Sequence, residues 1–255
     1  MNPSSACRFC GKATPLVKAH IIPKGLYWGL DQTIVTDDIV NKGKIIKRRG
    51  DRHKTPVVVS TVQGEFQRRT RNGLWGRFIC ETCETRFNAW DSHAIEVLRN
   101  SKPQILVQAW KYENFEYAKL KLFFISLLWR AAVADEPFFE NVALEARDLS
   151  RIKLLIKKSR PGSWTEYSVL LWRSDEIIAK AMLPPERVEY EGLSFILMYF
   201  PGYMSLIKVD HRPLPIRLKP YSLNESQSWL VGRRDYSTSG EWKRMLHTAR
   251  KTLKK

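Results

Sequence analysis

The sequence predicts an α+β protein in which an N-terminal zinc-binding module, residues 1–100, precedes a domain of core helices and antiparallel strands, residues 101–255. Three observations predict this arrangement. All four cysteines of the chain form two C-x-x-C pairs within the first region. Two helical patterns follow Pro103, and four strand-like runs come after them. Hydrophobic residues make up 44% of the 255 residues, which is enough to build a large core.

The elements of the N-terminal region follow from local patterns. A tight turn at 7–11 opens it, because Gly11 can take the left-handed conformation beside a metal-binding pair. The β-branched run "TPVVVSTV" predicts a strand, and "FQRRTRNGLWGRFIC" predicts a hairpin of two short strands around the turn dipeptide Asn72-Gly73. The second C-x-x-C opens a helix, "ETCETRFNAWDSHAIEVLRN", whose apolar residues at helical spacing are Phe87, Trp90, Ala94 and Val97.

The C-terminal region changes character after Pro103. "ENFEYAKLKLFFISLLWRAAVAD" predicts a long helix buried over most of its circumference, and "LEARDLSRIKLLIKKS" predicts an amphipathic helix that ends before Pro161-Gly162. The runs "EYSVLLWR", "GLSFILMYF", "YMSLIKVD" and "SQSWLVG" predict strands, and a basic helix at about 239–253 closes the chain. We therefore expect two core helices against an antiparallel sheet.

The charge of the chain points to its partners. A net charge of +17 follows from 43 Lys and Arg against 26 Asp and Glu. Such an excess favours a polyanion, of which nucleic acid is the natural example, although a basic protein without particular affinity remains an alternative. The most apolar run, "LFFISLLW", is far shorter than the roughly 18 residues of a membrane span, and the N-terminus lacks a secretory signal pattern. We expect a cytoplasmic protein with no membrane association.

The cysteines carry the strongest chemical signal. In a reducing compartment, paired C-x-x-C motifs indicate a metal site more often than disulfides, and Cys7, Cys10, Cys80 and Cys83 supply the four thiolates of a tetrahedral structural zinc site. The two pairs are far apart for a compact zinc ribbon. A knuckle, a hairpin with an insertion, and a helix that carries the second pair nevertheless fit together as a treble clef. The alternative is four buried free cysteines that merely share this spacing.

The segments "CRFC", "AHIIPK" and "GLWGRFICETCE" resemble the HNH (ββα-metal) endonuclease superfamily in its zinc-stabilised form. More narrowly, the chain resembles a group of bacterial HNH-like proteins of about this length, and that likeness extends to "FFISLLWRAAVADEPFFENVAL". The resemblance implies a metal-dependent endonuclease that hydrolyses phosphodiester bonds of DNA. It also implies the effector of a bacterial antiphage or mobile-element conflict system, with a partner protein of that system.

The resemblance implies roles for particular residues. His20 would be the general base, and a divalent ion, Mg²⁺ or Mn²⁺, would stabilise the leaving oxygen. Two positions depart from the family pattern: Ala19 stands where Asp or His is common, and Glu84 stands where a histidine is common. The last helix still offers oxygen ligands, because Glu84, Asn88 and Asp91 fall at i, i+4 and i+7. The predicted catalytic set is therefore His20, Glu84, Asn88 and Asp91.

Several alternatives remain open at the same residues. His20 could cap a turn, and the acidic residues could form a solvated helix face. His93 lies off the acidic stripe and is expected at the surface. The missing ligands favour a catalytically degenerate treble clef that binds nucleic acid or a partner protein without cleaving. In a weaker alternative, the C-terminal body does the work and the zinc module is a structural lid.

Basic residues beside the predicted site are candidates for contacts with the DNA backbone, which position a duplex without reading its sequence. They could equally be charges of a solvated loop. These predicted nucleic-acid-binding residues are Arg48, Arg49, Arg52, Lys54, Arg68, Arg69 and Arg71.

Overall fold

A computed structural model describes residues 6–27, 57–60, 66–70, 73–173 and 181–233 of the chain. Over this part the protein is α+β, as the sequence predicts, with helices and a mostly antiparallel sheet. The predicted basic helix at 239–253 lies outside the described residues. The helices are α1 (Glu81–Glu84), α2 (Asn88–Ile95), α3 (Tyr117–Val133) and α4 (Ala146–Lys158).

Two small sheets belong to or touch the N-terminal region. Strand β1 (Ala19–His20) pairs antiparallel with β4 (Trp75–Gly76). Strand β2 (Val57–Ser60), which the run "TPVVVSTV" predicts, pairs antiparallel with β3 (Phe66–Thr70) and parallel with β8 (Ala181–Met182). The second of these sheets therefore joins strands from both regions of the chain.

A seven-stranded sheet forms the C-terminal region, in the spatial order β5-β6-β12-β7-β11-β10-β9. Its neighbours are antiparallel except β12 and β7, which are parallel. The four predicted strands are confirmed as β7, β10, β11 and β12, whereas β5, β6 and β9 were not predicted. The strands are β5 (Gln104–Ile105), β6 (Ala109–Glu113), β7 (Val169–Arg173), β9 (Glu186–Tyr190), β10 (Leu193–Phe200), β11 (Tyr203–Lys208) and β12 (Ser228–Arg233).

The predicted hairpin around Asn72-Gly73 is wrong, because β3 pairs with β2 while β4 pairs with β1. The segment after Gly73 instead accepts backbone hydrogen bonds from the N-terminal residues 8 and 17. The amide of Arg8 donates to the carbonyl of Phe78 at 2.9 Å, and the amide of Val17 donates to that of Ile79 at 2.9 Å. Long-range pairing of residues 74–79 with residues 8–21 thus overrides the local turn preference of Asn72-Gly73.

The two predicted core helices are confirmed: α3 lies against the large sheet, and α4 packs against α3. Helix α3 is apolar around most of its circumference and packs against the sheet through Phe124, whose ring lies 6.3 Å from that of Phe200 and 5.9 Å from that of Trp229. Helix α4 ends at Lys158, followed by Ser159 in the left-handed conformation with φ of 51°. Among the described residues, no helix combines the length and apolarity that crossing a membrane requires.

The two regions share one hydrophobic core. Buried side chains from residues 7–98 and from the helices and sheet after them form a single cluster. Within this cluster the ring of Phe9 lies 5.2 Å from that of Trp129 and 6.1 Å from that of Phe87. The predicted apolar face of the helix at 81–100 is confirmed as part of it, since Phe87, Trp90, Ala94 and Val97 are all buried. The division at residue 100 stays a prediction.

A buried lysine in α3 gives a testable pH dependence. Burial lowers the pKa of Lys121 from 10.5 to about 7, opposed by Glu166 and assisted by Lys208, while its Nζ donates to the carbonyls of Glu166 and Tyr167. Between pH 7 and 10 the unfolded chain binds more protons than the folded one, so the free energy of unfolding should rise with pH, by about 1.4 kcal/mol per unit of pKa displacement. Urea unfolding of the wild type and Lys121→Met across this range measures the difference.

The matched control for this prediction is Lys119→Met, which removes a partly exposed lysine from the same helix. Its unfolding free energy should follow the wild-type pH dependence. Parallel curves for Lys121→Met and the wild type would contradict the prediction.

Candidate metal centre and histidine site

The four cysteines meet in one place. Their Sγ atoms all lie within 4.8 Å of one another, and the Sγ atoms of Cys10 and Cys80 are 3.9 Å apart. Cys10 is exposed, whereas Cys7, Cys80 and Cys83 are buried. Four sulfurs at this separation are compatible with a zinc site, as the spacing of the two pairs predicts.

Local backbone geometry aims both pairs at this point. The first pair sits on a turn in which the amide of Gly11, at φ of 78°, donates to the carbonyl of Cys7 at 2.7 Å. The second pair begins α1, where the amides of Cys83 and Glu84 donate to the carbonyl of Cys80. The amide of Cys80 also donates to Sγ of Cys7 at 3.3 Å. Such amide-to-sulfur bonds stabilise thiolates, the form that binds metal.

The thiol pKa values show why a cation fits here. Burial raises the pKa of Cys80, but hydrogen bonds from Cys83, Cys7 and Thr14 lower it to about 7. Burial and the neighbouring sulfurs raise the pKa of Cys83. The neighbouring groups thus stabilise the thiolate of Cys80, whereas burial and the same neighbours disfavour ionisation of Cys83. Four thiolates in this small volume require a positive ion, and zinc has the matching ligand preference.

His20 lies on the strand pair that leads into the cysteine cluster. Its partner across the ladder is Trp75, and the adjacent amide of Ile21 donates to the carbonyl of Leu74 at 3.0 Å. Ala19 is completely buried, whereas His20 is half-buried. The strand therefore has a fixed position in the core, and the histidine lies at the edge of that core.

Helix α2 contributes Asp91, which forms a bidentate ion pair with Arg130 of α3. Oδ1 accepts from Nη2 at 2.8 Å and Oδ2 accepts from Nη1 at 2.9 Å. The exposed fractions of the two side chains are 2% for Arg130 and 16% for Asp91. Burial raises the pKa of Asp91, while Arg130 and the charge of His20 lower it. Asp91 and His20 therefore lie within electrostatic reach of each other.

The other two predicted catalytic residues flank Asp91. Glu84 is half-buried, and its pKa is raised by burial and by the charge of Asp91. Asn88 is exposed. The charge of Asp91 thus acts on the carboxyl group of Glu84. The catalytic role of the four residues stays a prediction.

These residues do not fit a second, catalytic metal ion. Across the described ranges, the cysteine cluster is the only set of three or more His, Cys, Asp or Glu with ligand atoms gathered this closely. Both oxygens of Asp91 are already held by Arg130. The arrangement makes Asp91 a better anchor for Arg130 than a ligand for Mg²⁺ or Mn²⁺.

The predicted DNA contacts are only partly placed. Arg68 and Arg69 lie in β3, opposite Val59 and Val58 of β2. The other five predicted residues lie outside the described part of the chain: Arg48, Arg49, Arg52, Lys54 and Arg71. A basic contact that was not predicted lies beside His20, where Nζ of Lys18 sits 4.2 Å from the ring centre of Trp75.

His93 is not a simple surface residue, which corrects the expectation from the sequence. It is half-buried, and its Nε2 accepts a hydrogen bond at 3.0 Å from the amide of Glu116, the residue that precedes α3. Burial lowers the pKa of His93. The ring therefore links α2 to the residue that precedes α3.

The site residue that the sequence did not reveal is Arg130. It follows "FFISLLW" inside an apolar helix, a pattern that indicates core packing and gives no signal of a polar partner.

Comparisons of the chain with protein-family models, with curated proteins and with solved structures find no match.

Proposed function

We propose that the chain is a nuclease that hydrolyses phosphodiester bonds of DNA, with His20 as its general base. The observation that supports this most is the placement of His20. The backbone carbonyl of His20 and the carboxylate of Asp91 accept hydrogen bonds from the same nitrogen, Nη1 of Arg130, and the cysteine cluster brings together the segments 7–10 and 80–83 that precede them. We further propose that the knuckle, strands and helix form a zinc-stabilised treble clef of the HNH kind.

The chemistry assigned to the chain is proton transfer at His20. An imidazole has an unperturbed pKa near neutrality, so it can take a proton from the water that attacks phosphorus. His20 is half-buried, so part of the residue is exposed to solvent. The excess of 43 basic over 26 acidic residues attracts the polyanion. No step is assigned to a divalent ion, because the described residues do not supply a ligand set for one.

The zinc has a structural part in this proposal. Four thiolates complete a tetrahedral site and leave no position open for water or substrate, which separates this ion from the reaction. Its contribution is to hold together two segments that are distant in the sequence.

The experiment is a plasmid-nicking assay with purified protein in Mg²⁺ and in Mn²⁺. We expect the wild type to nick, and His20→Ala to lower the rate constant on the order of 10²–10⁴-fold, the usual contribution of a general base. The control is His211→Ala, since His211 is well exposed and approaches Asp148, a residue of α4. Both variants should keep zinc and a wild-type melting temperature. Equal nicking by wild type and His20→Ala would refute the assignment.

A second candidate is a treble clef that binds nucleic acid without cleaving it. The commitment of Asp91 to Arg130 favours this candidate, because a carboxylate so held is a poor ligand for a catalytic metal. It predicts no nicking under any metal condition, together with a mobility shift that weakens steeply with salt. The same protein preparation distinguishes the two candidates.

A further inference from the structure

Arg130 makes more contacts than an ordinary ion pair requires. Besides Asp91, its Nη1 donates to the backbone carbonyl of His20 at 3.1 Å. Its Nε donates to the carbonyl of Ser126 and its Nη2 to the hydroxyl of Ser126, both at 3.3 Å. Its guanidinium carbon lies 4.9 Å from the ring centre of Phe87. One buried cation thus contacts β1, the helix at 81–100 and its own helix.

These contacts fix geometry as well as charge. A guanidinium is planar, and its donors keep fixed directions, so a bidentate carboxylate sets its orientation. Asp91 accepts on both oxygens, which aims the remaining hydrogen of Nη1 at the carbonyl of His20. The hydrogen bond to the carbonyl of His20 therefore depends on the ion pair between Arg130 and Asp91.

We propose that Arg130 is a positioning residue, which holds the backbone of His20 against α2 so that the histidine site is complete only when α3 is in place. Its effect on cleavage rests on the proposed nuclease function. The placement itself rests on the contacts alone. The C-terminal region then supplies part of the site, although every residue predicted for catalysis lies before residue 100.

The bond to a main-chain carbonyl separates positioning from simple stabilisation. Stability would need only charge neutralisation of Asp91, which any cation in reach provides. Lysine offers three donors on one tetrahedral nitrogen instead of a planar fork, so it cannot donate to the two carboxylate oxygens and the His20 carbonyl in the directions that the guanidinium uses. Arg130→Lys therefore keeps the positive charge and removes the planar arrangement of donors.

The test combines two measurements on the full chain. In NMR spectra of protein with labelled histidine rings, the His20 signal, assigned by its loss in His20→Ala, should shift in Arg130→Lys while the His211 signal stays in place. Under single-turnover conditions the nicking rate constant should fall on the order of 10–100-fold, as expected for a misplaced base, with DNA affinity changed less than about twofold. Zinc content should be unchanged. An unshifted His20 signal would overturn the proposal.

The two readouts keep this inference distinct from the nuclease assignment. If the wild type does not nick but the His20 signal shifts, the nuclease function fails and positioning stands. If the signal and the nicking rate both stay at wild-type values in Arg130→Lys, positioning fails and the nuclease stands. If Arg130→Lys does not fold, the double variant Arg130→Met with Asp91→Leu replaces it. This variant removes both charges, and proteins often tolerate the replacement of a whole buried ion pair by apolar residues. In that folded variant a shifted His20 signal supports the proposal and an unshifted one refutes it.

Discussion

Replacing Cys83 by serine is expected to abolish metal binding and to destabilise the protein well beyond the N-terminal turn. Cys83 is buried among the other three sulfurs, and the same turn carries Phe9 into the core against Trp129. Structural zinc contributes about 10–16 kcal/mol of apparent binding free energy in small zinc-finger peptides, and loss of one ligand of four removes a large part of that. Elemental analysis for zinc and urea unfolding measure the two effects.

The matched control for the cysteine variant is Thr82→Ser, which changes the exposed neighbour of Cys83 within α1. It should keep one zinc per chain and wild-type stability. A Cys83→Ser protein with unchanged unfolding would show that the cysteines are free thiols without a structural ion. Chelation of the wild type should reproduce the effect of Cys83→Ser, since both remove the same ion.

Truncating Trp129 to alanine is expected to lower the free energy of unfolding by about 3–5 kcal/mol, the usual cost of deleting a large buried aromatic side chain. Trp129 is 1% exposed, and its ring contacts those of Phe9 and Phe87. Because Phe9 lies between the first two cysteines, a cavity at Trp129 should also loosen the knuckle. We therefore expect faster zinc release to a competing chelator, followed by absorbance of the metal indicator.

Trp164→Ala serves as the control for this coupling. Trp164 packs, half-buried, against a separate group of hydrophobic residues on the other face of the large sheet. Its loss should lower stability without changing the rate of zinc release. Equal release rates for wild type and Trp129→Ala would contradict the link between the core and the metal centre.

Patterns with a local physical cause were predictable from the sequence. Strand β10 comes from an apolar run that only Ser194 interrupts, and α3 comes from apolar residues around most of a helical segment. The meeting of the cysteines was predictable from their pairing, because two C-x-x-C pairs commonly supply the four ligands of one ion. The fold class followed from the order of these elements.

Features that depend on distant partners were not predictable. Arg130 binds Asp91 across 39 positions of sequence, and nothing near either residue indicates the other. The turn at Asn72-Gly73 has a strong hairpin signal, yet the neighbouring strands pair elsewhere. Strands β5 and β9 are short or largely exposed at the sheet edges, where apolar alternation is weak. Local sequence patterns determine where helices and strands form, whereas packing across the whole core determines which of them pair.

The position of β12 has a consequence for synthesis on the ribosome. This strand is the last of the described sheet in sequence, yet it lies between β6 and β7, with Trp229 and Val231 buried. Until it leaves the exit tunnel, β5 and β6 cannot join the other four strands, and their inner edges stay open. In the nascent chain the sheet therefore remains as two separate groups of strands. The need for chaperones should be greatest just before β12 emerges.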